Sequence, residues 1–148
     1  MNYLMRLVVA YAATLALLAA PALANDVGQI KTAKGAVHIE RAGQKLPAAV
    51  GAKVRAADTV VTGADGSVGI TFVDNTLLSA GPNSTLAIER YAFDSTTHAG
   101  TFDARLSRGT LAVVSGKIAK QSPDAMTVKT PAAILGVRGT EFVVRADQ

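Results

Sequence analysis

The residues with the clearest chemical potential lie near the C-terminus. The run Gly136–Phe142 reads GVRGTEF and places Arg138 between two glycines. A guanidinium group can hold a carboxylate through two parallel hydrogen bonds, and flanking glycines allow a second backbone to approach closely. The run predicts one of two roles for Arg138. It is either a buried structural residue that fixes the last strand in the sheet, or the clamp of an anion-binding pocket.

The neighbours of Arg138 suggest how the chain is shaped around it. Thr130-Pro131 precedes the run and cannot sit in a central strand, because proline has no N–H to donate. The apolar residues 132–137, which end at Val137, are then expected to be buried on both faces if they form a strand. Gly136 and Gly139 predict bulges or left-handed backbone.

The remaining residues of the run complete this prediction. Thr140 is expected to close the turn with its hydroxyl, and Phe142 to resume the apolar alternation of the core. Glu141 is the nearest candidate carboxylate for Arg138, with Asp58 and Asp74 as more distant ones.

No other pattern points to catalysis, a metal or a cofactor. The chain has no cysteine, and its two histidines, His38 and His98, are sixty positions apart without a carboxylate cluster at ligand spacing. The run DGSVG at Asp65–Gly69 lacks the first glycine of a nucleophile elbow and precedes a strand rather than a helix. We therefore expect a non-catalytic protein without a catalytic or metal site.

The first 24 residues have the pattern of a secretory signal peptide. Arg6 precedes the apolar run Leu7–Ala20, and Ala22-Leu23-Ala24 matches the small-x-small cleavage rule. The run is shorter than the roughly 20 apolar residues that span a bilayer. Cleavage after Ala24 would leave one domain, residues 25–148, without a transmembrane segment and directed to the periplasm.

The charge of this mature region does not favour nucleic acid as a partner. Without Arg6, 14 basic residues stand against 11 acidic ones, and the basic residues are spread singly. Nucleic-acid binding requires a concentrated basic stripe.

Apolar residues recur at every second position along the mature region. Val68, Ile70 and Phe72 alternate with small or polar residues, and Phe102, Ala104 and Leu106 do the same. This period is typical of half-buried strands. It predicts an all-β domain of about ten short strands in a twisted roll, solenoid-like or sandwich arrangement, with no substantial helix.

Turn residues separate these strands. Gly63-Ala64-Asp65-Gly66 contains an Asp-Gly pair, which is a strong hairpin signal. Asp74-Asn75 can supply the left-handed backbone of a tight turn.

Three stretches together resemble the FecR domain family. They are ADTVVTG at Ala57–Gly63, then FVDNT at Phe72–Thr76 with the following GPNSTL, and VKTPAAIL at Val128–Leu135 running into GVRGTEF. The resemblance covers residues 28–146, and Thr130-Pro131 followed by the glycine-flanked arginine is its most specific part. Asn75 stands where the family usually has glycine, and asparagine tolerates a left-handed turn.

The resemblance implies a periplasmic all-β module that contacts other proteins. FecR-type regulators of iron uptake carry a cytoplasmic segment that binds a sigma factor, followed by a membrane helix and then this domain. Here the domain directly follows the predicted signal peptide, so we expect neither the sigma-factor segment nor its regulatory circuit.

Two function hypotheses remain. The first is a signalling module that pairs with an envelope protein through its loops or through an exposed strand edge. The second is a glycan-binding protein of the cell envelope, with Tyr91 and Phe93 as the aromatic pair available for sugars.

Overall fold

Alternating apolar and polar residues form strands along the described chain. The structure is a computed structural model that describes residues 26–138 and 141–147. Twelve strands within these ranges form one curled sheet, a half-barrel that is antiparallel except for one parallel pair, and the structure is 60% strand and 7% helix. The all-β prediction is confirmed, with twelve strands where the sequence pattern suggested about ten. The predicted signal peptide lies outside the described residues.

The strands are β1 (Asp26–Lys34), β2 (Val37–Arg41), β3 (Gln44–Pro47), β4 (Lys53–Arg55), β5 (Thr59–Thr62), β6 (Ser67–Phe72), β7 (Leu77–Ala80), β8 (Thr85–Phe93), β9 (Gly100–Val114), β10 (Met126–Lys129), β11 (Ile134–Gly136) and β12 (Glu141–Ala146). A short α-helix, α1 (Lys117–Gln121), and a 3₁₀ turn, η1 (Pro123–Ala125), lie between β9 and β10. Within the described residues, neither helix has the length and apolar content required to cross a membrane.

The 15-residue strand β9 connects the two halves of the curled sheet. Its first part pairs with β8 and, in parallel, with β10. Its last part pairs with β7 on one side and β12 on the other. One half, called the β8 half, therefore runs β3-β2-β5-β8-β9-β10-β11, and the other, called the β6 half, runs β4-β1-β6-β7-β9-β12.

The core lies between the two halves. The ring of Phe72 on β6 stands 4.7 Å from that of Phe102 and 5.5 Å from that of Tyr91, both on the β8 half. Phe72 and Phe102 are buried, as are Ile70 and Leu106. Each such side chain stabilises the fold by roughly 1.5–3 kcal/mol relative to an exposed position. The apolar residues that alternate along the strands of both halves thus form one shared core.

Two predicted turns form, but only one is a hairpin. Asn75 has φ +69° and joins the paired strands β6 and β7, as expected. The turn that begins at Gly63 instead joins β5 in one half to β6 in the other, so the predicted hairpin there is wrong. Gly63 donates to the Ala36 carbonyl at 2.8 Å, and a side chain at Gly63 would lie 3.0 Å from the Ala36 methyl. Asp-Gly chemistry specifies a turn but not which strands then pair.

Candidate functional site

The C-terminal motif forms a hairpin at the edge of the β8 half. β10 pairs in parallel with β9 and antiparallel with β11, and the motif turn lies between β10 and β11. The Thr130 amide donates to the Ala133 carbonyl at 2.8 Å, and the Ala133 amide donates to Thr130 Oγ1 at 3.1 Å. Pro131 occupies the turn, where its missing N–H costs nothing. We call residues 130–138 the signature hairpin.

The signature hairpin is largely exposed, which corrects the prediction that residues 132–137 are buried on both faces. Ile134 is 71% exposed, and nothing lies within 4 Å of a Cβ added at Gly136. Val137 alone among residues 132–137 is buried, and its amide donates to the Met126 carbonyl at 3.1 Å. The physical reason is that β11 lies at an edge of the sheet, so its outer face has no neighbouring layer.

Arg138 is also exposed, so the first of its two predicted roles, a buried structural residue paired with a carboxylate, is wrong. Its side chain is 80% exposed, and its Nη2 lies 3.7 Å from Oδ1 of Asp124, which is itself exposed. Gly136 does not have left-handed backbone. Gly139 and Thr140, to which the sequence assigned a left-handed or bulged position and a turn-closing hydroxyl, lie outside the described residues.

The end of the motif behaves as expected for a strand. Glu141 is exposed at the start of β12, and Phe142 packs against the core in a half-buried position. The chain therefore returns to the core after Arg138, without the arginine fixing the strand by an ion pair to Glu141 within the described contacts.

Asp58 holds a different arginine from the one predicted. Its carboxylate is almost fully buried and accepts hydrogen bonds from Arg41 Nε at 2.8 Å and Arg41 Nη2 at 2.7 Å. The Arg55 amide adds a third donor at 2.8 Å. The hydrogen bond to Asp58 raises the pKa of Arg41, outweighing its partial burial. This bidentate pair ties β2 to the loop before β5.

Asp74 is the most connected buried carboxylate that the structure describes. Its oxygens accept hydrogen bonds from Tyr91 Oη at 2.8 Å, from Thr76 Oγ1 at 2.7 Å and from the Ile118 amide at 3.2 Å. The Thr76 amide also donates to the carboxylate at 3.2 Å, and the backbone carbonyl of Asp74 accepts from the backbone amide of Lys117 at 2.8 Å. Asp74 therefore joins the β6–β7 turn, β8 and α1.

This carboxylate perturbs the neighbouring phenol. Burial, followed by the hydrogen bond to Asp74 and the negative charge of Asp74, raises the pKa of Tyr91 above its ordinary value. Sequence reasoning assigned Tyr91 to a possible sugar platform. Alternation along β8 did not indicate its contact with Asp74, because Tyr91 is out of phase with the buried Leu86 and Ile88 and follows a register shift between Ile88 and Arg90.

A third buried carboxylate was missed entirely. Asp103 lies on β9, and it accepts from Thr127 Oγ1 at 2.6 Å and pairs with the Arg90 guanidinium. Burial opposes its ionisation, but these hydrogen bonds and the charges of Arg90 and Lys129 outweigh it and lower the pKa of Asp103. The cross-strand register placed these residues side by side.

The two histidines lie on different elements and make different contacts. His38 Nε2 lies 3.1 Å from Glu40 Oε1 on the same strand. The His98 ring stacks on Phe93 at 6.0 Å, at the tip of the β8–β9 hairpin. Within residues 26–138 and 141–147, no group of three or more ligating side chains is placed to hold a metal.

The comparisons with known proteins identify a family. A family model described as FecR protein matches residues 58–148, which is more than half of the chain. A search of curated proteins found no match, and a search of solved structures found none either. The matched region includes the buried carboxylates Asp58 and Asp74 and the signature hairpin, and a FecR domain points to a signalling-related module. The chain belongs to the FecR protein family.

Proposed function

We propose that this protein is a non-catalytic FecR-type interaction module that acts with a partner protein in the periplasm. The observation that carries the proposal is the exposure of the signature hairpin. Ile134 and Arg138 are 71% and 80% exposed, so these side chains contribute little to the core. Family membership supplies the signalling context.

The chemistry of the signature hairpin suggests what it would recognise. An exposed isoleucine next to an exposed guanidinium can bury apolar area and pair with a carboxylate on the same partner. Asp124 is a weak competitor for Arg138, because an exposed pair at 3.7 Å contributes little. The partner surface would therefore be apolar with an acidic residue beside it.

Periplasmic location is part of the proposal and depends on the sequence of the leader. The 14-residue apolar run Leu7–Ala20 and the Ala22-Leu23-Ala24 site support export and cleavage. N-terminal sequencing of the protein recovered from a periplasmic fraction should begin at Asn25. Recovery only in the cytoplasm with an intact leader would reject the location.

Site-specific photo-crosslinking in living cells tests the interaction itself. A photoreactive residue at position 134 should capture one dominant envelope protein, and Arg138→Glu in the same chain should abolish that capture by opposing the acidic contact. Val50 is the matched control position, because it is also apolar and 66% exposed but lies between β3 and β4. Equal capture from positions 134 and 50, or none from 134, would reject the hairpin as the binding surface.

A second candidate is binding to an envelope glycan. Stacking of His98 on Phe93 places two rings at the tip of the β8–β9 hairpin, each half-buried, and aromatic faces are common sugar platforms. Tyr91 is not part of this platform, because its hydroxyl is bound to Asp74. The protein should then co-sediment with purified cell-wall sacculi and lose this property in Phe93→Ala but not in Val73→Ala.

A further inference from the structure

Strand β12 is the longest of the four strands that end the sheet in the described part of the chain. Among the described residues it pairs with β9 alone, through six consecutive residues without a register shift. Its outward row is Glu141, Val143 and Arg145, and Val143 is 67% exposed. Its inward residues, Phe142 and Val144, are apolar. A straight edge with an exposed apolar residue at its centre readily pairs with another strand.

The other three edge strands have the features that normally discourage such pairing. β3 has four residues, ends in proline and carries lysine, and β4 has three residues, two of them basic. β11 has three residues and ends in glycine. β12 has six residues and contains neither proline nor glycine. Among these four strands, β12 therefore offers the longest free edge, and the charges it carries are those of Glu141 and Arg145.

The charges on β12 are complementary to a second copy of the same strand. Glu141 and Arg145 lie two residues on either side of Val143, on the same face. If two such strands run antiparallel about a twofold axis at Val143, each Glu141 lies opposite Arg145 of the second copy. Opposite charges directly across an antiparallel pair are favourable, and apolar residues meet at the centre. Phe142 would likewise face Val144 of the second copy on the inner side.

We propose that β12 pairs with β12 of a second copy in this register, so that the two β6 halves become one continuous sheet. A twofold axis generates a self-complementary interface and ends assembly at the dimer. The existing pair of Arg145 Nε with Asp147 Oδ1, at 3.0 Å, does not oppose this, because both side chains are at least 76% exposed and such pairs are weak. The inference does not depend on the envelope partner proposed above.

A charge-reversal cycle tests the register. The protein, expressed from its full sequence and purified, is examined by sedimentation velocity over a range of concentrations. The twofold axis generates two contacts between positions 141 and 145, so either single variant, Glu141→Arg or Arg145→Glu, places like charges opposite each other in both contacts. Each single variant should weaken dimerisation by about tenfold or more. The double variant E141R/R145E reverses both signs and should restore the dimer. A monomeric wild-type protein, or a double variant that remains monomeric, would overturn the proposal.

A disulfide test measures the same contact independently of charge. The natural chain has no cysteine, so Val143→Cys introduces a single thiol. Directly opposed residues of antiparallel strands have Cα atoms about 4.5–5.5 Å apart, which suits a disulfide. Mild oxidation should link Val143→Cys copies covalently and leave Val50→Cys, at a similarly exposed position, mostly unlinked. Equal linking of the two variants would contradict the pairing.

Discussion

The hydroxyl of Tyr91 donates a 2.8 Å hydrogen bond to the fully buried carboxylate of Asp74, which lies 17 residues earlier in the chain. The Asp74 amide in turn donates to the same hydroxyl at 3.1 Å. No cation is paired with this carboxylate in the described residues, and its oxygens instead accept four hydrogen bonds. Hydrogen bonds to the ionised form are the physical alternative to a salt bridge.

Tyr91→Phe should destabilise the fold by about 1–3 kcal/mol, because the Asp74 carboxylate loses one donor without exposure to water. The ring contacts with Phe72 and Phe102 remain in this variant. Urea denaturation followed by circular dichroism would measure the change. A midpoint equal to that of the natural protein would show that the hydroxyl contributes nothing.

The raised pKa of Tyr91 predicts a loss of stability at alkaline pH. The neutral phenol is favoured in the folded protein, so its contribution is complete below the unfolded tyrosine pKa of about 10 and is lost as the pH rises toward the folded value. The free energy of unfolding should fall more steeply above pH ~10 in the natural protein than in Tyr91→Phe. Parallel curves for the two proteins would contradict this.

The lowered pKa of Asp103 predicts a loss of stability at acid pH. Its pKa is lowered in the fold, so its contribution is complete above the unfolded value of about 3.9 and is lost as the pH falls through the lower folded value. Asp103→Asn should therefore be less stable than the natural protein at neutral pH, with a smaller difference at pH ~3. Thermal unfolding at both pH values measures this, and a constant difference would argue against a charge effect.

Arg41 and Arg138 should respond very differently to truncation. Arg41→Ala leaves the buried Asp58 carboxylate without its bidentate partner and should cost about 3 kcal/mol. Arg138→Ala should change stability by less than about 0.5 kcal/mol, because that side chain is exposed. Chemical denaturation of the two variants side by side tests this order. A large loss in Arg138→Ala alone would restore the structural role expected from the sequence.

Gly109 and Gly136 should also differ in how well they tolerate substitution by alanine. Gly109 has φ +97°, and a Cβ there would lie 2.1 Å from Ser84 Oγ and 2.5 Å from Ser84 Cα, so Gly109→Ala should be strongly destabilising. Gly136, inside the signature hairpin, has nothing within 4 Å of its added Cβ and no left-handed backbone. Gly136→Ala should fold normally, as measured by its melting temperature. A loss of stability equal to that in Gly109→Ala would contradict this assignment.

The sequence was sufficient to predict the class of fold, because strand periodicity is a local property. Val68, Ile70 and Phe72 point into the core as their alternation indicates, and Asn75 adopts the left-handed turn. The family was also readable from local motifs, since Asp58–Gly63 and the signature hairpin lie within the matched region. Both conclusions need only neighbouring residues in the chain.

Pairing between distant residues was decided by the tertiary structure. The spacing of residues in the sequence could not show that Asp58 pairs with Arg41 rather than with Arg138, because either arginine can pair with a carboxylate. It also could not show that Tyr91 donates to Asp74. The curled path of the sheet determines both partners, because it places β2 beside the loop before β5 and the β6–β7 turn beside β8. The same path leaves β11 at an edge, where residues that look like core in the sequence have no second layer to cover them.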